Sequence, residues 1–376
     1  MSESIQIPKW PVAGEREKEL LNKVLESGQW GGFNELVKEF ESRFAGFQHC
    51  RYGVSAFNGT VTLETALTVL NIGPGDEVIV PAISFISTAT AVSRTGATPV
   101  FVDIEPDTFN LDPERTKAAI SPRTRAILVV HFGGPMANMD AFLDLSREHG
   151  LILLEDAAHA HGSEWSGKRA GSLGLAGSFS FQNGKVMTAG EGGLLTTNDS
   201  DFAVATTAFI NQGRKQGEGF FFHFTLGSNF RLTGLQAAIL LAQFERLPEQ
   251  ILRRRKADLF LRASLAEVPG LRFQRIPAEA CVHSHYLLLG RIDAAEFGQS
   301  RDEFHQALSQ AGIPCTPFYP HTLYQNPLYQ EAPCRVEPCP VAESCIRDAF
   351  WLPHRVLMAD EPTLGRIAEV MQSSRV

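Results

Sequence analysis

The sequence lacks the marks of several large protein classes. No apolar run approaches the roughly 20 residues that a membrane-spanning helix needs. Segment 1–15 has no basic stretch followed by an apolar block, so we predict no secretory signal peptide. Basic residues are in the minority, with 34 Lys and Arg against 42 Asp and Glu. This balance argues against a broad cationic surface for nucleic acid.

Cysteine is also scarce, and its spacing suits no metal site. The chain has six cysteines, at positions 50, 281, 315, 334, 339 and 345. The last three cluster, but no CxxC pair accompanies them, so zinc is not predicted. His159 and His161 lack a carboxylate or a third histidine at a suitable spacing, which argues against a metal there too. We expect reduced thiols, no metal and a cytoplasmic location.

The 376 residues suffice for a large core and for two domains. Between about residues 50 and 200, apolar runs alternate with amphipathic segments, which predicts an α/β domain with a doubly wound, mostly parallel sheet. Predicted strands cover 52–57, 77–80, 99–103, 126–131 and 151–155, and predicted helices include 15–25, 34–44, 61–70 and 139–149. We predict a large domain over residues 1–250, with an N-terminal helical segment, and a smaller α+β domain over 251–376.

One lysine has an unusual setting. Segment 176–197 holds a short apolar strand, a loop with Asn183, Gly184 and Lys185, the glycine-rich GEGG and a second strand. Lysine usually keeps its ammonium in water. Between two buried strands it would lose hydration, which lowers its pKa and suits Schiff-base formation. The alternative is a surface hairpin whose lysine extends into solvent.

Two further polar features follow predicted strands. Asn58, Gly59 and Thr60 lead from a strand into a helix, whose N-terminus offers free N–H groups to a phosphate. The alternative there is an ordinary helix cap made by Thr60. Asp156 ends a buried strand and needs a partner, either the cationic ring nitrogen of a cofactor or a cap or salt bridge within the domain. Because strand ends share one edge of such a sheet, we expect these features, His131 and Lys185 along that edge.

Two clusters lie further along the chain. The aromatic run FFFHF at 220–224 is interpreted as a subunit interface. The basic run RRRK at 253–256 falls within a predicted helix, 246–265, and is interpreted as a solvated face. The loop 314–327, PCTPFYPHTLYQNP, is suited to lining a pocket entrance.

Taken together, the motifs resemble one family. The strand–NGT–helix unit, GDEVIVPAISF, EDAAHAHG, SFSFQNGK, GEGG and SNFRLTGLQAA are similar to those of the DegT/DnrJ/EryC1/StrS family of pyridoxal-phosphate-dependent aminotransferases, which act on keto-sugars and keto-cyclitols. The resemblance covers about residues 10–360. It implies a type I transferase fold with a mostly parallel seven-stranded sheet, a smaller C-terminal domain and a homodimer with active sites at its interface.

The resemblance also assigns roles to individual residues. Lys185 would hold pyridoxal 5'-phosphate through a Schiff base and shuttle a proton, and Asp156 would pair with the pyridine nitrogen. Phe85 would stack on the ring, and His159 would lie near its hydroxyl. Four residues would bind the phosphate, the last from the other subunit: Gly59, Thr60, Ser180 and Asn229.

The substrate is less defined than the cofactor. Where sugar aminotransferases usually carry a histidine after Tyr-Pro, this chain has Tyr324, with His321 nearby, and both are candidate substrate residues. SFQNGKVMTAGEGG and WLPHRVLMADEP also resemble 3-amino-5-hydroxybenzoate synthases, which dehydrate and aromatise a ring that already bears its amine. Three hypotheses follow: amino transfer from glutamate or glutamine to a keto-sugar or keto-cyclitol, an aromatising dehydratase, and a non-catalytic cofactor-binding regulator. The intact Lys185, Asp156 and GEGG weigh against the last.

Overall fold

A computed structural model describes residues 5–215 and 217–375. Its strands are β1 Tyr52–Ala56, β2 Glu77–Pro81, β3 Thr98–Val102, β4 Thr124–Val130, β5 Ile152–Asp156, β6 Glu164–Trp165, β7 Lys168–Arg169, β8 Ala176–Ser180, β9 Gly193–Thr197, β10 Leu271–Phe273, β11 Leu287–Ile292, β12 Thr316–Pro317, β13 Arg335–Val336 and β14 Ala349–Pro353. Its α-helices are α1 Glu15–Ser27, α2 Glu35–Phe47, α3 Gly59–Val69, α4 Ser87–Arg94, α5 Pro113–Ala119, α6 Met139–His149, α7 Ser200–Ile210, α8 Gly234–Ser264, α9 Ala294–Phe297, α10 Arg301–Gln310, α11 Pro327–Glu331, α12 Pro340–Asp348 and α13 Glu361–Ser373.

The main sheet has the strand order β1-β9-β8-β5-β4-β2-β3-β13. In the described part of the chain, β9 runs opposite to the other seven strands of this sheet, which are parallel to one another, so the predicted α/β fold with a mostly parallel sheet is confirmed. The sheet has eight strands rather than seven. The extra strand is β13, whose two residues pair with β3 and are too few to show any periodicity.

The central strands are apolar because helices cover both faces of the sheet. Every residue of β2, β8 and β9 is buried, as expected for strands in the interior of an α/β domain. The carboxyl ends of β4, β5 and β8 lie side by side, with Asp156 of β5 paired to Ser178 of β8. The site described below opens at this edge.

A second, four-stranded sheet follows in the C-terminal part, with the order β10-β11-β14-β12 and antiparallel pairing throughout. It has its own hydrophobic core, which includes Leu288, Phe304 and Phe350. The single helix α8 passes through residue 250 without a break, despite Pro248 in its interior. The domain division at that residue therefore stays a prediction. Among the described residues, no helix combines the length and apolar character that crossing a membrane requires.

The basic run of α8 differs from expectation at one position. Arg253 and Arg255 are exposed, but Arg254 is fully buried and its Nε donates to the carbonyl oxygen of Ser284 at 2.8 Å. Helical spacing puts Arg254 on the same inward face as Ile251, three residues before it. The interpretation of the whole run as a solvated face is wrong for Arg254.

Candidate active site

A cavity of about 540 Å³ opens at the carboxyl ends of β4, β5 and β8. Parallel α/β sheets place binding sites at this edge. Segments far apart in the sequence contribute to its wall. The predicted site residues that line it are Gly59, Thr60, Phe85, Asp156, His159, Ser180 and Lys185.

Three predicted site residues lie outside this lining. Asn229 is exposed and forms an isolated backbone bridge with Asn211. The Nδ1 atom of His321 lies 3.2 Å from the carbonyl oxygen of the next residue. The hydroxyl of Tyr324 donates to Glu343 at 2.7 Å and so is already engaged. The substrate role of His321 and Tyr324 remains a prediction, and these contacts lend it no support.

The N-terminus of α3 forms one side of the cavity. The helix begins at Gly59, and the Oδ1 atom of Asn58 accepts from the backbone N–H of Val61 at 2.9 Å. Asn58 is therefore the cap, and the expectation of a cap made by Thr60 is wrong. The Oγ1 atom of Thr60 instead lies 2.7 Å from Oγ of Ser87, which also lines the cavity. This end of α3 can offer N–H groups, two hydroxyls and a positive dipole to a phosphate.

Gly59 is required for the packing of α3 against β8. A Cβ atom at this position would lie 2.8 Å from Cβ of Ser180. We expect Gly59→Ala to push the helix N-terminus away from the strand. Binding of pyridoxal phosphate, the cofactor that the family resemblance implies, should weaken at least about tenfold. Equilibrium titration with pyridoxal phosphate measures the change. Gly365→Ala in α13, where an added Cβ meets no atom within 4 Å, is the matched control. Equal affinity in the two variants would contradict a phosphate seat at Gly59.

Asp156 is a buried carboxylate at the end of β5. Its Oδ2 accepts from Thr88 Oγ1 at 2.8 Å, and its Oδ1 accepts from the backbone N–H of Ala158 at 3.2 Å. Burial raises the pKa of this carboxyl, although both hydrogen bonds oppose the rise. A cation beside Asp156 would restore the charged form. His131, expected at the same edge, faces Glu155 instead, with Nε2 2.9 Å from Oε2.

The amine of Lys185 lies inside the cavity. Its Nζ atom is 4.7 Å from the centroid of the Tyr286 ring. Burial lowers the pKa of Lys185 to about 8, and the charge of Asp156 opposes this effect. A pKa in this range leaves much of the amine uncharged in mildly alkaline solution, as Schiff-base formation requires. The position against Tyr286 favours the Schiff-base interpretation over that of a solvated surface lysine.

Two tyrosines of the site escaped the sequence analysis. Tyr286 and Tyr319 both line the cavity, and the Tyr286 ring packs on His159 with centroids 4.4 Å apart. Burial raises the pKa of Tyr286 to about 12, so its hydroxyl keeps its proton. Tyr319 belongs to the loop expected to line a pocket entrance, so a signal for it was present. Tyr286 directly precedes β11, and that position carries no comparable signal in the sequence.

Another buried polar cluster lies outside the cavity lining, at Asp258, His283 and His285, whose potential ligand atoms lie within 4.8 Å of one another. Arg262 Nε donates to both carboxylate oxygens of Asp258, at 2.9 and 3.0 Å. Burial lowers the pKa of both histidines, although the charge of Asp258 opposes this effect. Since Arg262 already balances the carboxylate, we interpret the cluster as a buried ion pair beside two imidazoles.

One cavity is surrounded by a desolvated lysine, an open helix N-terminus and the buried carboxylate of Asp156, which has no cationic side chain at hydrogen-bond distance among residues 5–215 and 217–375. These three features fit the aldehyde, ring nitrogen and phosphate of pyridoxal 5'-phosphate. With the mostly parallel sheet, they define a pyridoxal-phosphate-dependent transferase.

Comparisons with known proteins agree with this class. The sequence matches the model of the DegT/DnrJ/EryC1/StrS aminotransferase family over residues 11–372. It is 40% identical to a 3-amino-5-hydroxybenzoate synthase of Amycolatopsis mediterranei, over 97% of this chain and 96% of the relative. It is 36% identical to a putative L-glutamine:3-amino-2,3-dideoxy-scyllo-inosose aminotransferase of Streptoalloteichus tenebrarius, over 98% of this chain and 94% of the relative.

A solved structure shows the same fold. The crystal structure of a 3-amino-5-hydroxybenzoic acid synthase superimposes with a TM-score of 0.93 at 38% identity, and the match covers 99% of both chains. The chain belongs to the DegT/DnrJ/EryC1/StrS aminotransferase family. As a member of this aminotransferase family, it is an enzyme whose cofactor is pyridoxal 5'-phosphate. The predicted family and cofactor are confirmed.

Proposed function

We propose that this enzyme moves an amino group from glutamine or glutamate to the ketone carbon of a sugar or cyclitol. The arrangement of Lys185, Asp156 and the N-terminus of α3 around one cavity carries the proposal. The name of the Streptoalloteichus tenebrarius relative supports L-glutamine as the donor and a cyclitol ketone as the acceptor. Bound pyridoxal phosphate supplies an electron sink for the bonds at the substrate carbon.

The main residues around the cavity have defined tasks in this proposal. The N-terminus of α3, with Thr60, holds the phosphate, and Phe85 and His159 confine the ring. Asp156 keeps a proton on the ring nitrogen. Lys185 Nζ holds the cofactor between turnovers, and its free amine then moves a proton to and from the substrate carbon. Tyr286 shields that amine from water, which keeps its pKa low.

The proposal includes a homodimer in the cytoplasm. An exposed apolar surface at Phe220, Phe221, Phe222, Phe224 and Leu226 is the kind of patch that a partner subunit covers. Phe221 is 86% exposed and Leu226 93%. Asn229 lies three residues after Leu226 and would reach the phosphate in the other subunit. The six cysteines are unpaired, which supports a reducing compartment.

A donor assay tests the proposed function. We expect the near-violet absorption band of the holoenzyme to disappear when glutamine or glutamate is added without an acceptor, with one 2-oxo acid released per site. A keto-cyclitol or keto-sugar should then restore the band and yield the amine. A band that responds to neither donor would contradict the aminotransferase proposal.

A second candidate is an aromatising dehydratase that forms an aminohydroxybenzoate. The 40% identity and the TM-score of 0.93 to synthases of that name favour it. A hydroxylated, amino-substituted cyclohexenone carboxylate would then lose its ring hydroxyl as water, and its ketone would become the phenol hydroxyl. The product would gain the ultraviolet absorption of a benzene ring without any amino donor. If the enzyme converts this compound, and its near-violet band does not change with glutamine or glutamate, the second proposal replaces the first.

A further inference from the structure

Two carbonyl groups beside Lys185 accept hydrogen bonds from distant parts of the chain. Trp10 Nε1 donates to the carbonyl oxygen of Asn183 at 3.1 Å, from 173 residues away in the sequence. His354 Nε2 lies 3.2 Å from the carbonyl oxygen of Gly184, across 170 residues, and donates to it. The N-terminal segment and the residue after β14 therefore both hold the Lys185 loop, residues 182–185.

Among the described residues, the other hydrogen bonds of the loop are short-range. Lys185 N donates to Gln182 O at 2.8 Å, Gly184 N to Gln182 Oε1 at 2.7 Å, and Gln182 N to Ser180 Oγ at 3.4 Å. Residues 182–184 are exposed, while the flanking Phe181 and Val186 are buried. The ends of the loop are thus anchored by packing. Its middle depends on the two outside donors.

The same two residues, His354 and Trp10, also contribute contacts that support the Tyr286 ring, against which the Lys185 amine lies. The backbone N–H of His354 donates to the carbonyl oxygen of Tyr286 at 2.9 Å. The His354 and Tyr286 rings stack with centroids 6.0 Å apart, and Trp10 packs edge-on against His354 at 4.6 Å. Trp10, His354 and Tyr286 therefore form one aromatic column, and Lys185 Nζ lies on its last ring.

We propose that His354 and Trp10 are positioning residues for Lys185, because they hold both the backbone of its loop and the Tyr286 ring beneath its amine. His354 follows β14 of the second sheet, so its contacts connect the C-terminal part of the chain to the reactive amine. The inference rests on the proposed role of Lys185 in holding the cofactor.

The His354 side chain can donate its hydrogen bond to the carbonyl oxygen of Gly184 over the whole working pH range. It is buried, with 2% of its surface exposed, and burial lowers its pKa to about 3. The imidazole is therefore neutral at any pH where the enzyme would work, and the proton that it carries is on Nε2, facing the carbonyl of Gly184. A phenylalanine would keep the ring but remove this donor. A glutamine could keep an N–H group in a similar place.

The test measures the ionisation of Lys185 in cofactor-free protein. An amine-reactive acylating reagent is applied across a pH series, and mass spectrometry of the Lys185 peptide gives the labelled fraction. We expect an apparent pKa of about 8 in the unaltered chain. His354→Phe should raise it by about one unit, because the released loop admits water. In His354→Gln the pKa of Lys185 should stay close to that of the unaltered chain. Trp10→Phe should raise this pKa by less than His354→Phe does.

The controls separate this inference from general damage and from the proposed function. His149→Phe, at the far end of α6 and outside the cavity lining, should leave the profile unchanged. An unchanged profile in a folded His354→Phe variant would overturn the proposal, and if that variant fails to fold, Trp10→Phe decides it in the same way. Because the cofactor is absent, a shifted profile stands even if pyridoxal phosphate fails to bind. Such a failure would count against the proposed function alone.

Discussion

Replacement of Lys185 by alanine is expected to lower amino transfer by roughly 10⁴-fold or more, since it removes both the Schiff-base amine and the proton shuttle. The Lys185 amine is poised for both tasks by its position in the cavity and its lowered pKa. The cofactor should still bind weakly, because Asp156, Thr60 and the N-terminus of α3 remain. In this variant, amino transfer should therefore be almost lost while weak cofactor binding is kept.

Borohydride reduction measures the covalent part of this prediction directly. Reduction should fix the cofactor to the unaltered chain, visible as an added mass on the peptide that contains Lys185. The Lys185→Ala chain should gain no such mass. Lys168→Ala, at the exposed first residue of β7, is the matched control and should behave as the unaltered protein does. Cofactor fixed to another lysine in Lys185→Ala would show that the assignment is wrong.

The main sheet was predictable because its signal is local. Strands buried on both faces must be continuous apolar runs, and the run predicted at 126–131 corresponds to β4, Thr124–Val130. The continuity of α8 was harder to foresee, because Pro248 usually ends or kinks a helix. Leu247 and Ile251 on either side of it are buried, and their packing outweighs the lost hydrogen bond.

The site residues also fall into two groups, those that the sequence pattern predicts and those that only the tertiary structure brings together. Lys185, Asp156 and Gly59 stand next to strand ends, so a strand pattern and a topology rule suffice to bring them together. Tyr286 and the donors to the Lys185 loop come from segments that meet only in the tertiary structure. Arg254 shows the same limit, since a basic run indicates solvent unless the packing of the helix is known.

Asn58 lies between these two groups, because its helix was predicted but its role as the cap was not. The helix start was predicted within two residues, at 61 rather than at Gly59. That small displacement was enough to assign the cap to Thr60 instead of Asn58. The consequence is chemical, because a capping Thr60 would have its hydroxyl engaged by its own helix. In the structure Asn58 takes that task, which leaves the Thr60 hydroxyl beside Ser87 at the cavity wall.

The charge of Asp156 gives the second large prediction. Asp156→Asn keeps the shape of the side chain and an acceptor for Thr88, but it removes the negative charge that would hold a proton on the ring nitrogen. We expect kcat to fall by about 10³-fold, since the electron sink depends on that proton. Cofactor affinity should fall far less, because the phosphate contacts are unchanged. Asp201→Asn, exposed in the first turn of α7, serves as the control.

A cofactor analogue separates the charge of Asp156 from its other contacts. Pyridoxal phosphate methylated on the ring nitrogen is permanently cationic and needs no carboxylate to hold a proton. It should restore part of the lost rate in Asp156→Asn, yet it should give no gain in the unaltered enzyme, where the nitrogen is already charged. If the analogue leaves Asp156→Asn as slow as before, the carboxylate acts through its hydrogen bonds to Thr88 and Ala158 and orders the end of β5. A variant as fast as the unaltered enzyme would remove Asp156 from the reaction altogether.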